Sequence, residues 1–387
     1  MVPAERENTK RIGKRIMKFK VSRSVLADGL KKVQNAVPGK PVLQILANVK
    51  IEATADGRLV LSASDLDMTV QTAVKCEVEE AGATTLPAKL LLNAVQKLPE
   101  GNVELDSEPS TEKATIKGGS AVYRLNGLAA KDFPTADKVQ VVASYTLTQP
   151  LLRECIRKTA FACSDDDTRK NLKGINVEYG GGKLTLAATD GRRLALVESD
   201  AVADKTADKG SVIITQALAG ELLRLLESEG DVRISIAKEK IAFAIGQTVI
   251  TCKLLDGAFP NYRQVIPDME KMGYTTISID RAMLIGAIDR ANVVATSGSE
   301  SVRLTFAANE LIVSSTAADE SGEARDVVPV KYDGAQVEIL FMAPYVLEPL
   351  KAIDDDEIAF CVADGAKPAV IKCASPYICV VMPLRTA

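Results

Sequence analysis

The chain carries the strand pattern Leu61-Ser62-Ala63-Ser64-Asp65, and versions of this pattern occur twice more. Leu186-Ala187-Ala188-Thr189-Asp190 is the second version and Val313-Ser314-Ser315-Thr316-Ala317 is the third, each about 125 residues after the one before. A repeat of this length is too long for the units of solenoids and propellers, but it suits a complete domain. The spacing therefore predicts three homologous domains in one chain.

Two helix-like segments accompany each strand pattern. The first follows a short strand-like run, and the second follows the strand pattern itself. Period-2 strands and tight turns such as Asp56-Gly57 separate the helices. This order predicts an α+β fold in which each domain packs two helices on antiparallel sheet. The predicted helices are 24–33, 149–156 and 280–288 in the first set, and they lie within 86–101, 214–230 and 341–357 in the second.

Recurring closing signals set the expected domain boundaries. Lys131-Asp132-Phe133-Pro134 closes the first repeat, Gly257-Ala258-Phe259-Pro260 the second, and Val380-Val381-Met382-Pro383 the third. Residues 1–16 are polar and basic, which predicts a disordered extension, with a basic arm that touches nucleic acid as the alternative. The predicted domains are 17–138, 139–267 and 268–387.

The composition excludes several classes of enzyme. The chain has no histidine, so a Ser-His-Asp or Cys-His arrangement and an imidazole metal ligand are impossible. Its seven cysteines form no Cys-x-x-Cys pair, which predicts buried reduced thiols and neither a metal site nor a cofactor. The N-terminus lacks the apolar core of a signal peptide, and no apolar run reaches the ~18–20 residues of a membrane span. We therefore expect a cytoplasmic protein without membrane contact.

Basic residues gather on helices of the first set, although 48 Lys and Arg stand against 51 Asp and Glu, a formal charge of −3. Any one such run is typical of a solvated face. Recurrence in two repeats indicates instead a cationic helical face that meets phosphate without reading sequence. Aromatic residues are only 4% of the chain, which favours duplex DNA over a stacked single strand. The residues expected to face DNA are Arg23, Lys31, Lys32, Lys40, Arg153, Arg157, Lys158, Arg169, Lys170 and Lys173.

From Met17 to its end the chain resembles the bacterial DNA sliding clamps, the beta subunits of DNA polymerase III. Three motifs in order carry the resemblance: ATDGRRLA at 188–195, FPNYRQVIP at 259–267 and VVMPLR at 380–385. The resemblance implies two three-domain crescents that close head to tail into a ring around duplex DNA. It also implies a processivity factor without a catalytic residue of its own.

In this family the motifs form a groove between the second and third domains, and short linear peptides of partner proteins bind there. The implied partners are the replicative polymerase, the clamp loader, repair polymerases, and ligase or mismatch-repair proteins. Arg192 stands where the family commonly has His, and Gln264 where a second Arg is usual. A buried edge strand that ends at Pro383 is the alternative interpretation of the last motif. The implied groove residues are Leu172, Thr189, Gly191, Arg193, Leu194, Pro260, Val265, Val380, Val381, Met382, Pro383 and Leu384.

The resemblance also implies a dimer contact between the end of the first domain and the start of the third domain of the partner. Tyr123 and Leu125 would then face Val293 and Val294, residues that otherwise are typical of an ordinary core.

Two other functions fit parts of the sequence. One is an enzyme that binds a divalent cation at three consecutive acids, 165–167, although such acids cannot all point at one site. The other is an adhesin-like repeat protein, which the basic helices and the lack of a signal peptide disfavour.

Overall fold

We describe a computed structural model that covers residues 17–108, 111–134, 140–205, 209–295, 300–317 and 322–384. The predicted extension at 1–16 lies outside the described residues, as does the end of the last motif from Arg385 onward.

The predicted helices and strands are present in all three repeats. The first repeat contains β1 Met17–Ser22, α1 Arg23–Gln34, β2 Asn48–Thr54, β3 Arg58–Ser64, β4 Met68–Lys75, β5 Glu77–Glu80, β6 Gly82–Pro87, α2 Ala88–Lys97, β7 Asn102–Glu108, β8 Lys113–Gly118 and β9 Ala121–Asn126. The second contains β10 Val141–Thr148, α3 Gln149–Ala160, β11 Gly174–Gly180, β12 Lys183–Thr189, β13 Arg193–Asp200, β14 Val202–Lys205, β15 Gly210–Thr215, α4 Gln216–Leu225, β16 Asp231–Ala237, β17 Lys240–Ile245 and β18 Thr248–Lys253. The third contains β19 Thr275–Asp280, α5 Arg281–Ala291, β20 Ser301–Ala307, β21 Glu310–Thr316, β22 Glu323–Pro329, β23 Val337–Met342, α6 Ala343–Ala352, β24 Glu357–Val362, β25 Ala369–Lys372 and β26 Tyr377–Val381.

Two helices begin at side-chain caps that the sequence supplies. The hydroxyl of Thr215 accepts a hydrogen bond from the backbone N–H of Leu218 at 3.1 Å and starts α4. The carboxylate of Asp280 accepts one from Met283 at 2.7 Å and starts α5. These caps satisfy donors that have no partner inside the helix, and the negative charge of Asp280 also complements the helix dipole.

The chain divides into two compact units. The first comprises Met1–Gln140 with Ala242–Lys253, and the second comprises Val141–Ile241 with Leu254–Ala387. Strand β18 belongs to the first unit because it pairs with β4 along residues 248–252. The boundaries at 138 and 267 remain a prediction, since the units follow strand pairing and do not correspond to one repeat each.

In the first unit, one sheet runs β5-β1-β7-β8-β9 and the other runs β18-β4-β3-β2-β6. Helix α1 packs on β3 and β4 and buries Leu26, Leu30 and Val33 completely. Gly29 allows this close approach, because a Cβ there would stand 2.8 Å from the side chain of Leu61. The α+β packing predicted for the repeat is confirmed here.

In the second unit, an eight-stranded sheet runs β15-β11-β12-β13-β26-β25-β24-β19. Its first four strands come from the second repeat and its last four from the third. Helix α3 packs on β12 and β13, while α5 packs on β21 and β22 of a separate four-stranded sheet. The contact between β13 and β26 is therefore the point where two repeats share one sheet.

The prediction of reduced, mostly buried cysteines agrees with the structure. All seven cysteines are free thiols, and five of them are buried. None of the described helices is both long and apolar enough to cross a membrane.

Candidate functional site

The antiparallel ladder between β13 and β26 is the core of the candidate site. Leu194 pairs with Val380 across this ladder, and Thr189 of β12 pairs with Leu194 on its other side. All three side chains are buried, with Leu194 and Val380 each 2% exposed. Three residues from two of the predicted motifs thus form one cross-strand row.

An apolar cluster surrounds this row. Leu196 and Tyr262 are among its buried members, and Phe259 and Ile266 pack against it while half-buried. Tyr262 and its neighbours come from the segment between β18 and β19, residues 254–274, which we call the connector. Loss of water around the phenol raises the pKa of Tyr262 above its ordinary value. The connector therefore lies on the same sheet face as Leu194.

Exposed apolar residues flank the buried row. Val265 is 55% exposed, Met382 is 44% exposed, and Pro260 is exposed as well. A hydrogen bond of 2.8 Å from the side chain of Asn171 to the carbonyl of Ala258 attaches the neighbouring loop to the connector. That loop includes the buried Leu172. A buried apolar floor with an exposed apolar rim is a surface that a hydrophobic peptide side chain can cover.

Two backbone hydrogen bonds hold the residues after β26. The N–H of Met382 donates to the carbonyl of Arg192 at 2.9 Å, and the N–H of Leu384 donates to Leu340 at 2.7 Å. The turn that presents Arg192 contains Gly191 at φ +87°, a conformation that favours glycine. The tail is thus held at both ends, while the side chain of Met382 stays 44% exposed.

Arg193 connects the second repeat to α6. Its guanidinium lies 5.2 Å from the ring centre of Phe161 and 4.7 Å from that of Tyr345. It also donates to Asp190 at 3.1 Å and pairs with Glu348, and only 8% of the residue is exposed. Alternation along β13 directs Arg193 away from the face that carries Leu194. Its predicted place in the groove lining remains a prediction.

Two residues of α6 that the sequence did not point to are the partners of Arg193. Tyr345 and Glu348 lie on a helix whose pattern indicates only burial, and no motif marks them. A polar cavity of about 410 Å³ opens beside them and includes Asp166, Arg169 and Asp190 in its lining.

Lys158 does not face DNA, and its prediction is wrong. It is 1% exposed, because its ammonium group pairs with Glu154, bonds Ser375 at 2.7 Å and lies 5.7 Å from the ring centre of Tyr377. Adjacent residues of a helix point about 100° apart, and Lys158 points inward from α3. Arg157, next to it, is half-buried.

The other predicted DNA-facing residues retain exposed surface, but most have carboxylate or carbonyl partners. Arg157 forms a double hydrogen bond with Asp354, and Arg153 bonds the carbonyl of Leu226. Lys31 lies 3.3 Å from Asp28, an exposed pair of little strength. Further pairs are Arg23 with Glu100, Arg169 with Asp166 and Lys173 with Asp167. Lys32 is half-buried, and Lys40 and Lys170 are exposed.

The three acids at 165–167 do not converge. Asp166 accepts hydrogen bonds from Thr168 and Arg169, which lower its pKa to about 2. Asp167 pairs with Lys173 instead. In the described part of the chain, no group of three or more acidic or cysteine side chains is placed to hold a metal ion.

The predicted dimer residues lie near two sheet edges. Strand β9, which carries Tyr123 and Leu125, is the last strand of its sheet, and β22 is the first strand of another. Val293 is 81% exposed, in the turn after α5. Leu125 is only 7% exposed, so its side chain already belongs to the core of its own unit. Its contact with a partner chain remains a prediction, and Val122, 49% exposed, is the most exposed apolar residue of β9.

Comparisons with known proteins agree with the motifs. Family models of the DNA polymerase III beta subunit match in order: the N-terminal domain at 17–137, the central domain at 146–261 and the C-terminal domain at 263–385. The beta sliding clamp of Escherichia coli K12 is 32% identical over 95% of this chain and its own full length. That of Chlamydia trachomatis is 31% identical over 96% of this chain and 88% of its own.

The fold of this chain is also similar to that of solved sliding clamp structures. A crystal structure of the DNA polymerase sliding clamp of Pseudomonas aeruginosa superposes with a TM-score of 0.89 at 30% identity, covering 96% of this chain and all of that one. The matches span all three repeats, and they include the motifs that build the ladder between β13 and β26. The chain therefore belongs to the DNA polymerase III beta subunit family, the bacterial sliding clamps.

Proposed function

We propose that this sliding clamp acts as a ring-shaped homodimer that encircles duplex DNA in the cytoplasm. In this role it carries out no reaction and keeps its partner proteins on the template. Topology, and not tight binding, then retains the ring on DNA. A net charge of −3 is compatible with this, because only the inner face has to be positive.

Two exposed sheet edges support the dimer. Strands β9 and β22 each end a sheet, and a row of unpaired backbone groups at such an edge can accept another strand. Val293 adds an apolar residue that is almost fully exposed. We propose that β9 of one chain meets β22 of the partner, with Val293 and Val294 at the contact and Tyr123 beside them.

The basic residues of α1 and α3 support contact with the DNA backbone. Weak exposed pairs such as Lys31 with Asp28 exchange readily for phosphate. Contacts of this kind are weak and independent of sequence, which is what sliding requires.

The row formed by Thr189, Leu194 and Val380 is the observation that carries the peptide-binding function. Exposed Val265 and Met382 flank this buried row, and Met side chains can repack around different partners. We propose that short linear segments of the replicative polymerase, the clamp loader, repair polymerases, and ligase or mismatch-repair proteins bind here by inserting apolar side chains.

A topological experiment tests the ring. The clamp is loaded with its clamp loader and ATP onto nicked circular DNA and passed through a gel-filtration column. We expect it to travel with the circle and to separate once that DNA is made linear. Equal retention on circular and linear DNA would contradict encirclement.

A further inference from the structure

We propose that Arg263 is a positioning residue for the peptide groove, although its side chain lies outside the groove. It follows Tyr262 in the connector and reaches two carboxylates of the second repeat. Its guanidinium donates to Glu178 at 2.7 Å and lies 3.9 Å from Glu198. This inference rests on the proposed peptide-binding function and adds the contact that orients one wall of the groove.

The two carboxylates lie on one row of the eight-stranded sheet. Glu178 of β11 pairs with Thr185 of β12, and Thr185 pairs with Glu198 of β13. Along β12, Thr185 and Thr189 are an even number of residues apart, and side chains at even spacing share a face of the sheet. The carboxylates that Arg263 contacts therefore lie on the same sheet face that forms the groove floor.

A buried polar residue holds Glu178 in place. The hydroxyl of Ser211 donates to the side-chain carbonyl of Asn176 at 2.6 Å, and the amide of Asn176 donates to Glu178 at 3.4 Å. Asn176 is 1% exposed. The carboxylate that accepts from Arg263 thus also accepts from a residue buried in the sheet, and its side chain is 32% exposed.

The apolar and ionic contacts of the connector have separate roles. Tyr262 is buried in the apolar cluster and keeps the connector on the sheet. The guanidinium of Arg263 lies over the ring of Tyr262, 5.2 Å from its centre, and also donates to Glu178. Burial is not directional, whereas a charged hydrogen bond has a required geometry. Arg263 can therefore fix where the connector lies along the sheet. Burial of Tyr262 alone would leave the connector free to shift.

The residues held in this way are the exposed ones of the groove rim. Pro260 and Val265 lie within three residues of Arg263 on either side, and both are exposed. A shift of the connector changes their distance from Val380 and Met382 and hence the width of the groove. We infer that removing the ionic contact weakens peptide binding without unfolding the protein.

The test uses the full-length clamp and a fluorescein-labelled C-terminal peptide of the replicative DNA polymerase from the same cell. Arg263→Met keeps the aliphatic stem and removes the charge. Since a partly exposed ion pair contributes at most about 1 kcal/mol, we expect a two- to fivefold rise in the peptide Kd by fluorescence anisotropy. Arg263→Lys should recover part of this affinity. Arg303→Met, which removes another exposed Arg–Glu pair, with Glu338, is the matched control and should leave Kd unchanged.

A double-mutant cycle shows whether Arg263 acts through Glu178. Glu178→Gln should weaken the peptide in a similar way, and the variant with both changes should be no weaker than Arg263→Met alone. Fully additive effects would overturn the inference, as would an unchanged Kd in Arg263→Met.

Amide hydrogen exchange gives a readout that needs no peptide. Amides of residues 259–266 should exchange faster in Arg263→Met, while those of β11 stay as in the unaltered clamp. Unchanged exchange in the connector would overturn the inference. If the unaltered clamp fails to bind the peptide, the proposed groove is wrong, and the exchange result still decides the role of Arg263.

Discussion

Leu194 and Val380 face each other across the ladder between β13 and β26, and both are 2% exposed. Leu194 belongs to the second repeat and Val380 to the third, so this pair is where the two repeats become one sheet. Met382, two residues after Val380, and Val265 of the connector are both exposed. The candidate groove thus forms only where the two repeats join. Leu194 and Val380 each depend on the other repeat for their burial.

The tail after β26 should be required for peptide binding. Deleting residues 382–387 removes Met382 and the two backbone hydrogen bonds at Arg192 and Leu340. Each such bond contributes about 0.5–1.5 kcal/mol, so the chain should still fold and dimerise. We expect anisotropy to show no binding of the polymerase peptide. A clamp that ends at Leu384 is the control and should bind; undiminished affinity in the longer deletion would argue against the groove.

Arg193 should stabilise the second unit. Arg193→Met leaves Asp190 and Glu348 without their cation while the aromatic rings of Phe161 and Tyr345 keep an apolar neighbour. Because Glu348 is partly exposed, we expect a decrease of about 2–3 kcal/mol in the free energy of unfolding, measured by denaturant titration. The exposed neighbour provides the control: Arg192→Met should change stability by less than about 0.5 kcal/mol. Equal effects at both positions would contradict this role.

The basic helix residues should contribute to DNA affinity. Changing Lys31, Lys32, Arg153 and Arg157 together to Ala should weaken binding to short duplex DNA and reduce the dependence of log K on log salt. That slope should fall by about 0.9 for each phosphate that the variant no longer neutralises. A matched variant removes four lysines outside the helices, namely Lys113, Lys117, Lys183 and Lys209. If both variants bind DNA with the same salt slope, the helices do not form the DNA-facing surface.

Val293 should be needed for the dimer but not for the fold. At 81% exposure its side chain packs little within its own chain, so Val293→Asp should leave the melting temperature of the monomeric unit almost unchanged. A carboxylate inside an interface core is unfavourable, so sedimentation should show a shift towards monomer. Val202→Asp, at a residue 70% exposed on β14, is the control and should remain dimeric. If the Val293→Asp clamp remains dimeric, Val293 does not lie in the dimer interface.

Thiol reactivity should follow burial. Burial raises the pKa of Cys155, Cys163 and Cys379 to about 12, so at pH 8 almost none of each is thiolate, the reactive form. The two half-buried thiols, Cys76 and Cys373, should react with iodoacetamide first in the native protein. Mass spectrometry after trypsin digestion measures this, and all seven should react in guanidinium chloride. Rapid native alkylation of Cys379 would mean that the β13–β26 junction opens.

Several features could be read from sequence because they are local or repeated. Helix periodicity and strand alternation depend on residues a few positions apart, so the predicted elements agree with the structure in all three repeats. The motifs at 188–195 and 380–385 identified the family for a related reason, since each is a contiguous stretch. Leu194 and Val380 could then be assigned to one site only through that resemblance.

Other features depended on contacts between distant segments. Lys158 looks in sequence like Arg157, but Glu154, Ser375 and Tyr377 surround its ammonium group, and only the packing of α3 on the third repeat brings the last two there. The periodicity of β9 indicates alternation but not which face its own unit covers, so the burial of Leu125 could not be predicted from that strand.

Sequence by itself determined the three repeats, their helices and strands, the absence of histidine chemistry and the family. Tertiary structure alone decided which charges are buried, which strand edges remain open in the described chain, and that Arg263 of the connector meets Glu178 and Glu198. The physical reason is that propensity and periodicity act over one or two turns of chain. Burial and ion pairing depend on whichever distant segment packs alongside, and only the tertiary structure shows which segment that is.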